Sequence, residues 1–253
     1  MHIKNTLFVG KVLLAFEALD STNGYALELL AKSKPIEGTV ISTFRQTEGR
    51  GQIGSKWESE PDKNLSLSII LYPTFLAPRE QFALNISIAL AVRTFVAKYT
   101  EKMVKVKWPN DIYIESRKIA GILIQNSITM QAVQFSVIGV GVNINQTQFS
   151  KNVPNATSLA AETGQGFALH ELLEPLCQEV EQHYLHLKNT QYRIHLQENY
   201  LSYLYQYQQV ATFQRADGSI FSGIITGISD SGKLLIQNKG VVEIFDLKEV
   251  RFL

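Results

Sequence analysis

The sequence has little cysteine and no excess of charge of one sign. Cys177 is the one cysteine in 253 residues, which excludes an internal disulfide framework and any metal site built from several cysteines. The 24 Lys+Arg and 23 Asp+Glu leave a formal net charge of +1, which excludes a general binder of nucleic acid or membrane surfaces. No apolar run approaches the roughly 18 residues of a membrane-spanning helix, and no secretory signal is visible. These absences predict a soluble cytoplasmic protein.

Strand and helix patterns alternate over roughly the first two thirds of the chain. The alternation at 65–69 and 104–108 predicts strands, and the apolar spacing over 79–99 predicts a long amphipathic helix. Two further helices are expected around 168–188 and 191–205. The fold class is therefore α+β, with a mixed or antiparallel sheet.

From about residue 208 the pattern changes to short apolar runs. Asp217-Gly218, Asp230-Ser231-Gly232 and Lys239-Gly240 separate these runs at regular spacing. Such spacing is typical of a small all-β barrel. We expect two domains, at 1–207 and 208–253.

A glycine-rich segment at 46–57 reads Gln-Thr-Glu-Gly-Arg-Gly-Gln-Ile-Gly-Ser-Lys-Trp. Its glycines would let backbone N–H groups approach an anion, and Arg50 and Lys56 add positive charge. It is not the dinucleotide-binding fingerprint, because residue 50 is charged and no helix-forming run follows. Nor is it a Walker loop, since no Gly-Lys-Ser/Thr ends it. By itself the segment predicts an anion-binding loop or an ordinary surface loop.

Three other segments offer polar groups in suggestive places. Lys107–Asp111 ends a strand with a cation that could neutralise a carboxylate or phosphate, or could simply be solvated. The two glycines of Gly139–Asn145 weaken a strand unless a ligand approaches the backbone there, the alternative being a β-bulge. Ser21–Asn23 either caps the next helix or faces a ligand.

Taken in chain order, these segments resemble the biotin–protein ligases. The order is Ser-Thr-Asn at 21–23, Gly-Arg-Gly at 49–51, Lys-Trp-Pro-Asn-Asp at 107–111, Lys-x-x-Gly-Ile-Leu at 118–123 and Gly-x-Gly-x-Asn at 139–143. The resemblance extends to Ala-Thr-Ser-Leu at 156–159 and to the small β-domain. It implies a catalytic domain like that of class II synthetases, followed by an SH3-like barrel.

The resemblance also implies a two-step reaction. Members of this family join biotin to ATP, giving biotinyl-5′-adenylate and pyrophosphate, and transfer the biotinyl group to a lysine of a biotin carboxyl carrier protein, such as that of acetyl-CoA carboxylase. Activation is needed because a carboxylate is a poor electrophile and a lysine with a pKa of about 10.4 is mostly protonated at neutral pH. Mg²⁺ is expected with ATP, although the sequence shows no set of metal ligands.

Roles for individual residues follow from the same resemblance. Lys107 would bridge the biotin carboxylate and the α-phosphate, and Lys107 and Arg50 are the expected catalytic residues. The apolar tail of biotin would lie against Trp57 or Trp108. The expected biotin ligands are Ser21, Thr22, Asn23, Gln46, Arg50, Gly51, Gln52 and Lys107, and the expected ATP ligands are Gly49, Arg50, Lys107, Lys118 and Asn143.

The chain departs from the common family pattern in two ways. Gln52 and Ser55 stand where the loop Gly-Arg-Gly-Arg-x-Gly-Arg has arginine, so we expect weaker retention of the adenylate. Ser21 comes too early for the N-terminal helix-turn-helix of members that repress the biotin operon, so binding to DNA is not expected. A homodimer is compatible with an exposed sheet edge, and relatives occur both ways.

Two other functions stay open on the sequence. A lipoate-protein ligase would have a related fold, but such enzymes typically carry an Arg-Arg-x-Ser-Gly-Gly-Gly loop that this sequence lacks. A non-catalytic biotin-binding sensor would have no need of a phosphate-facing lysine, which is the expected role of Lys107.

Overall fold

The computed structural model describes residues 3–52 and 55–253. The described residues form two sheets and six α-helices. The first sheet contains β1 (Leu13–Phe16), β2 (Val40–Thr43), β3 (Asn64–Leu71), β4 (Val104–Lys107), β5 (Asp111–Ile114), β6 (Arg117–Ile128) and β7 (Val133–Asn143). The second contains β8 (Val210–Arg215), β9 (Ile220–Ile228), β10 (Leu234–Asn238), β11 (Val241–Phe245) and β12 (Val250–Phe252). The helices are α1 (Thr22–Lys32), α2 (Gln81–Ala97), α3 (Leu159–Thr163), α4 (Leu169–Lys188), α5 (Thr190–Ile194) and α6 (Leu196–Ser202).

The seven-stranded sheet has the order β1-β2-β3-β7-β6-β5-β4. Strands β1 and β2 are parallel and every other neighbouring pair is antiparallel, so the sheet is mixed. The predicted α+β class is confirmed. Strands β5 and β6 form an antiparallel hairpin, with Arg117 at the start of β6.

The two faces of this sheet are covered by different helices. Ile70 and Val137 point to a small apolar cluster that includes Ala26 of α1. Their neighbours Ile69 and Ile138 point the other way, into the main core with α2 and α4. Because side chains alternate along a strand, every second residue of β3, β6 and β7 faces α1.

The helical region after α4 differs from the prediction. One helix was expected over 191–205, but the structure has the short helices α5 and α6, and the chain then turns into the linker. The linker runs beside the edge strand β4, where Val106 N–H donates to Tyr203 O and Tyr205 N–H donates to Val106 O. The sheet edge thus has a partner that local periodicity does not reveal.

The second sheet has the order β11-β10-β9-β8-β12 and contains the short strands predicted from the turn spacing. It packs on α2 and on the turn between β4 and β5 through its own turn between β9 and β10. There Trp108 Nε1 donates to Gly232 O at 2.8 Å, and Phe82 fills the space in front of the Gly232 Cα. The domain boundary at 207/208 stays a prediction.

No helix in the described part of the chain is both long enough and apolar enough to cross a membrane.

Candidate active site

The register of the large sheet brings the predicted segments together on the face that α1 covers. Directly paired residues of adjacent strands share a face, so each ladder of pairs crosses the sheet as one row. The first row is Ser66 on β3, Gly141 on β7, Gly121 on β6, Asp111 on β5 and Lys107 on β4. The second row is Ser68, Gly139 and Leu123. Three chemically distinctive segments of the sequence therefore meet on one surface.

The glycines of the first row make room for the Trp57 indole. A Cβ built on Gly141 would lie 2.3 Å from Trp57 Cε2, and one built on Gly121 would lie 3.0 Å from Cζ3. Gly121 and Gly141 are therefore required by a close side chain. The alternative of a β-bulge at Gly139 and Gly141 is wrong, because the register of β7 with β3 and β6 runs unbroken through both residues. Trp57 lines the resulting cavity, whereas Trp108 lies on the α2 side of the protein against the second sheet. Trp57 is thus the tryptophan available to a ligand in this cavity.

The start of α1 supplies the hydrogen-bonding end of the cavity. Ser21 caps the helix, its Oγ accepting from Gly24 N–H at 3.2 Å. Thr22 N–H donates to Gln46 Oε1 at 2.9 Å, which fixes the orientation of the Gln46 amide and leaves its Nε2 as a donor. Ser21, Thr22 and Gln46 all line the cavity, and their contact with a ligand stays a prediction.

Asn23 also lines the cavity, but its side chain is occupied by the protein. Its Nδ2 donates to Leu123 O at 3.3 Å and to Gln125 Oε1 at 3.1 Å, and its Oδ1 lies 2.5 Å from Ser68 Oγ. A Cβ on Gly139 would lie 2.2 Å from Asn23 Oδ1, so this glycine makes room for the amide. We infer that Asn23 anchors its neighbours, whereas the sequence had predicted a direct contact with biotin.

Sequence reasoning missed Ser68 and Gln125, which hold Asn23. The Leu-Ser-Leu-Ser pattern of β3 carried a signal for Ser68, because a serine on a buried face needs a polar partner. The pattern does not say which partner, since Asn23 is 45 residues away in the chain.

The glycine-rich segment closes the other side of the cavity. Trp57 N–H donates to Gly49 O at 2.9 Å, and Gly51 N–H donates to Ser55 O at 3.0 Å. Gln52 Nε2 donates to Asn110 Oδ1 at 3.0 Å, which ties the segment to the β4–β5 turn. Gly54, the third glycine of the predicted anion-binding loop, and Ile53 lie outside the described residues.

The charges that line this cavity favour an anion. Arg50, Lys56 and Lys118 are the cations among the described lining residues, and Asp111 is the one carboxylate. Lys118 Nζ lies 2.7 Å from Asp111 Oδ1, with both side chains about one third exposed. This pair places an oriented ammonium in the cavity that ends at the α1 N-terminus.

Lys107, expected to be the main catalytic residue, is not among the residues that line this cavity. Its Nζ lies 4.9 Å from the ring centres of Tyr113 and Phe252 and 3.3 Å from Tyr113 Oη. Burial lowers the pKa of Lys107 below its ordinary value. The carboxylate of Asp111 raises this pKa in part, and the nearby cations Lys118 and Arg251 lower it further. Lys107 is outside the cavity because of its place in the sheet. It is on the same face as Gly121, but the backbones of the two residues are two strands apart, about 10 Å by strand spacing. Lys118 is the lysine of the two that lines the cavity, and the catalytic role expected of Lys107 stays a prediction.

A second cavity adjoins the first and shares Lys56, Trp57 and Lys118 with it. Asn143 lines it, and Asn143 Nδ2 donates to Thr157 O at 3.0 Å. Among the described residues, Asn143 Oδ1 and Trp57 Nε1 are buried without a hydrogen-bond partner. A buried acceptor and a buried donor without partners are suited to a ligand that offers the complementary groups.

No group of three or more His, Cys, Asp or Glu side chains that could hold a metal ion occurs in residues 3–52 and 55–253.

The close fit of Trp57 on the sheet makes Gly141→Ala a sharp test of the cavity. We expect the added methyl group to displace the indole and weaken ligand binding by more than about tenfold, because overpacking a filled site costs 1–3 kcal/mol. Isothermal titration calorimetry with biotin and with ATP measures this. Gly166→Ala is the matched control, since nothing lies within 4 Å of a Cβ at that position. Equal affinities for the two variants would contradict the proposed position of Trp57.

Comparisons with known proteins identify the family and the fold. The model of the biotin/lipoate A/B protein ligase family matches residues 15–143. The chain is 30% identical over 234 residues to the bifunctional ligase/repressor BirA of Escherichia coli, covering 89% of this chain and 69% of the relative. It is 28% identical over 239 residues to the biotin–[acetyl-CoA-carboxylase] ligase of Paracoccus denitrificans, covering 92% and 97%. Its fold is similar to that of the Aquifex aeolicus biotin protein ligase solved with biotin and ATP, with a TM-score of 0.78, 24% identity, and coverage of 96% and 100%.

Proposed function

Because this chain belongs to the biotin/lipoate A/B protein ligase family, we propose that it is an ATP-dependent biotin–protein ligase. It joins biotin to ATP to form biotinyl-5′-adenylate and pyrophosphate, and it then transfers the biotinyl group to a lysine of a carrier protein. The observation that carries the proposal is one cavity that joins the hydrogen-bonding groups of Thr22 and Gln46 to the ammonium of Lys118. Biotin needs both ends, because it has a polar ureido ring and a carboxylate joined by an apolar chain.

The ureido ring belongs at the α1 end of the cavity. Gln46 Nε2 offers a donor, and the hydroxyl groups of Ser21 and Thr22 lie beside it. A cyclic urea presents one carbonyl acceptor and two N–H donors, which this set can satisfy. The apolar part of biotin then lies along the floor of the cavity, where Leu67, Leu123 and Val140 contribute apolar lining.

The carboxylate and the α-phosphate belong at the opposite end, beside Lys118. An ammonium held by Asp111 can neutralise the charge that develops as the carboxylate attacks the α-phosphate. Arg50 lines the same cavity from the glycine-rich segment, but its guanidinium lies near Gly24 at the α1 end, so Lys118 is the cation at the phosphate end. Lys107 lies next to Asp111 on the neighbouring strand β4. It does not line the cavity, but its charge interacts with those of Asp111 and Lys118.

The adenine belongs in the adjoining cavity. There the unpaired Asn143 Oδ1 can accept from an exocyclic amine, and the Trp57 indole divides the two cavities. Mg²⁺ would accompany the nucleotide. Because Asp111 is already paired with Lys118, we expect the phosphate oxygens of the nucleotide to supply most of the ligands of that ion.

The carrier is a biotin carboxyl carrier protein or domain, with that of an acetyl-CoA carboxylase as the first to test. The purified chain, ATP and biotin are incubated with such a carrier, and the carrier is weighed by mass spectrometry. We expect one added biotinyl group, located by peptide mapping on one lysine. Omission of ATP is the control for non-enzymatic acylation.

Measurements of pyrophosphate release and of biotin binding with the same protein separate the alternatives. Lipoate in place of biotin as the acid that supports pyrophosphate release would favour a lipoate ligase. Binding of biotin with no pyrophosphate release would favour a non-catalytic sensor and contradict the proposed function.

A further inference from the structure

A buried serine on β3 controls the direction of the hydrogen bonds at the ureido end of the cavity. Ser68 is fully buried and does not line the cavity, yet its Oγ lies 2.5 Å from Asn23 Oδ1 and 2.8 Å from Thr22 Oγ1. Both contacts are hydrogen-bond distances, but a serine hydroxyl has one proton to donate. The two bonds must therefore run in opposite directions through Ser68.

The orientation of Asn23 decides which way they run. Asn23 Nδ2 lies near Leu123 O, a backbone carbonyl that can only accept, so the nitrogen of the amide is on that side. The atom facing Ser68 is consequently the amide oxygen, which has no proton. Ser68 must donate to Asn23 Oδ1.

The proton between Ser68 and Thr22 must then come from Thr22. Its hydroxyl also lies 3.3 Å from Gln46 Oε1, a longer contact with another acceptor. Whether the Thr22 hydroxyl donates to Ser68 Oγ or to Gln46 Oε1, its proton is used inside the protein. The lone pairs of Thr22 Oγ1 are left for a ligand in the cavity that Thr22 lines.

We propose that Ser68 is a positioning residue that fixes the chain Thr22 O–H to Ser68 O–H to Asn23 Oδ1 and so makes Thr22 an obligatory acceptor. The site would thereby select a ligand that presents an N–H at this position. Together with the Gln46 Nε2 donor, it complements the –NH–C(=O)– unit of a cyclic urea. This inference rests on the proposed function, since it takes biotin as the ligand.

The test compares biotin with an analogue in which a ring oxygen replaces one ureido N–H, prepared for each nitrogen in turn. Calorimetry on the parent should show at least about tenfold weaker binding of one of the two analogues, because an acceptor facing an oxygen is left unpaired. Ser68→Ala removes the nearer of the two acceptors of the Thr22 proton and leaves the longer contact with Gln46 Oε1 at 3.3 Å, so the proton can also turn toward the ligand. In that variant the ratio of the affinity for biotin to the affinity for the weaker analogue should fall toward one.

Thr22→Val removes the hydroxyl while keeping the shape of the side chain, and it should abolish the discrimination. In the Thr22→Val background, Ser68→Ala should not change the affinity ratio further. A serine that only supports the fold would weaken both ligands equally, so an unchanged ratio in Ser68→Ala would overturn the proposal.

Equal binding of biotin and both analogues to the parent would also overturn it, while leaving biotin as the substrate. Failure of biotin to bind the parent would overturn this inference and the proposed function together.

Discussion

Replacement of Lys118 by alanine should lower the rate of biotinyl-adenylate formation by about a thousandfold. An ammonium about 4 Å from a developing negative charge contributes about 4 kcal/mol at an effective dielectric constant near 20, which corresponds to that factor if it acts in the transition state. Lys118 lines both cavities and is held by Asp111, so it is placed to act in this way. ATP–pyrophosphate exchange with saturating biotin measures the effect.

Lys107→Ala is the matched control, because it removes the same side chain from a neighbouring position on the same face of the sheet. We expect it to lower the exchange rate by less than about tenfold, since Lys107 does not line the main cavity and its ammonium lies beside the rings of Tyr113 and Phe252. Its main effect should be on the contact between β4 and the second sheet, where Phe252 lies over the ammonium. Equal losses of exchange activity in Lys107→Ala and Lys118→Ala would contradict the assignment to Lys118.

A second control concerns Asp111, which Lys118→Ala leaves as an uncompensated negative charge in the cavity. That charge would repel the substrates and could account for part of the loss. The double variant Asp111→Asn/Lys118→Ala removes both charges. If the exchange rate of the double variant is less than about tenfold above that of Lys118→Ala, the loss of activity is due to the missing ammonium itself.

The case of Lys107 shows what could be predicted from the sequence and what could not. Alternation along Val104–Lys107 correctly gives a strand, and the pairing Lys107 with Asp111 puts this lysine on the face of the site. The number of strands between Lys107 and the cavity depends on the order β7-β6-β5-β4, which no local pattern contains. The face on which Lys107 lies could therefore be predicted, whereas its lateral distance from the cavity could not, and its catalytic role stays a prediction.

The polar network around Asn23 was unpredictable for a related reason. Ser21–Asn23 suggests a helix cap, and the cap at Ser21 is present. The partners of Asn23 come from β3 and β6, which are joined to α1 only through the folded sheet. By contrast, the turn spacing after residue 208 is local, and the small second sheet could be predicted from it.

The stability of the catalytic region should depend strongly on one carboxylate that the mechanism does not use. Glu181 of α4 is buried, and its two oxygens accept the backbone N–H groups of Leu7, Phe8 and Val9 at 2.6, 2.7 and 2.9 Å. These bonds hold the segment that leads into β1 against α4. Hydrogen bonds to a charged acceptor contribute about 1.5–3 kcal/mol each, and a buried donor left without a partner adds a desolvation cost.

Glu181→Ala should therefore lower the free energy of unfolding by about 3–5 kcal/mol, less than the sum of three bonds because water can reach some of the freed N–H groups. For a protein of this size the loss corresponds to a fall in Tm on the order of 10 °C, which calorimetry measures. Glu174→Ala is the matched control, since Glu174 lies on the same helix and accepts one exposed N–H, that of Asn5. Its Tm should stay close to that of the parent, because solvent replaces an exposed bond. Equal shifts for the two variants would show that the three bonds to Glu181 do not hold the N-terminal segment, and the segment would then depend on apolar contacts such as those of the buried Ile3 and Val9.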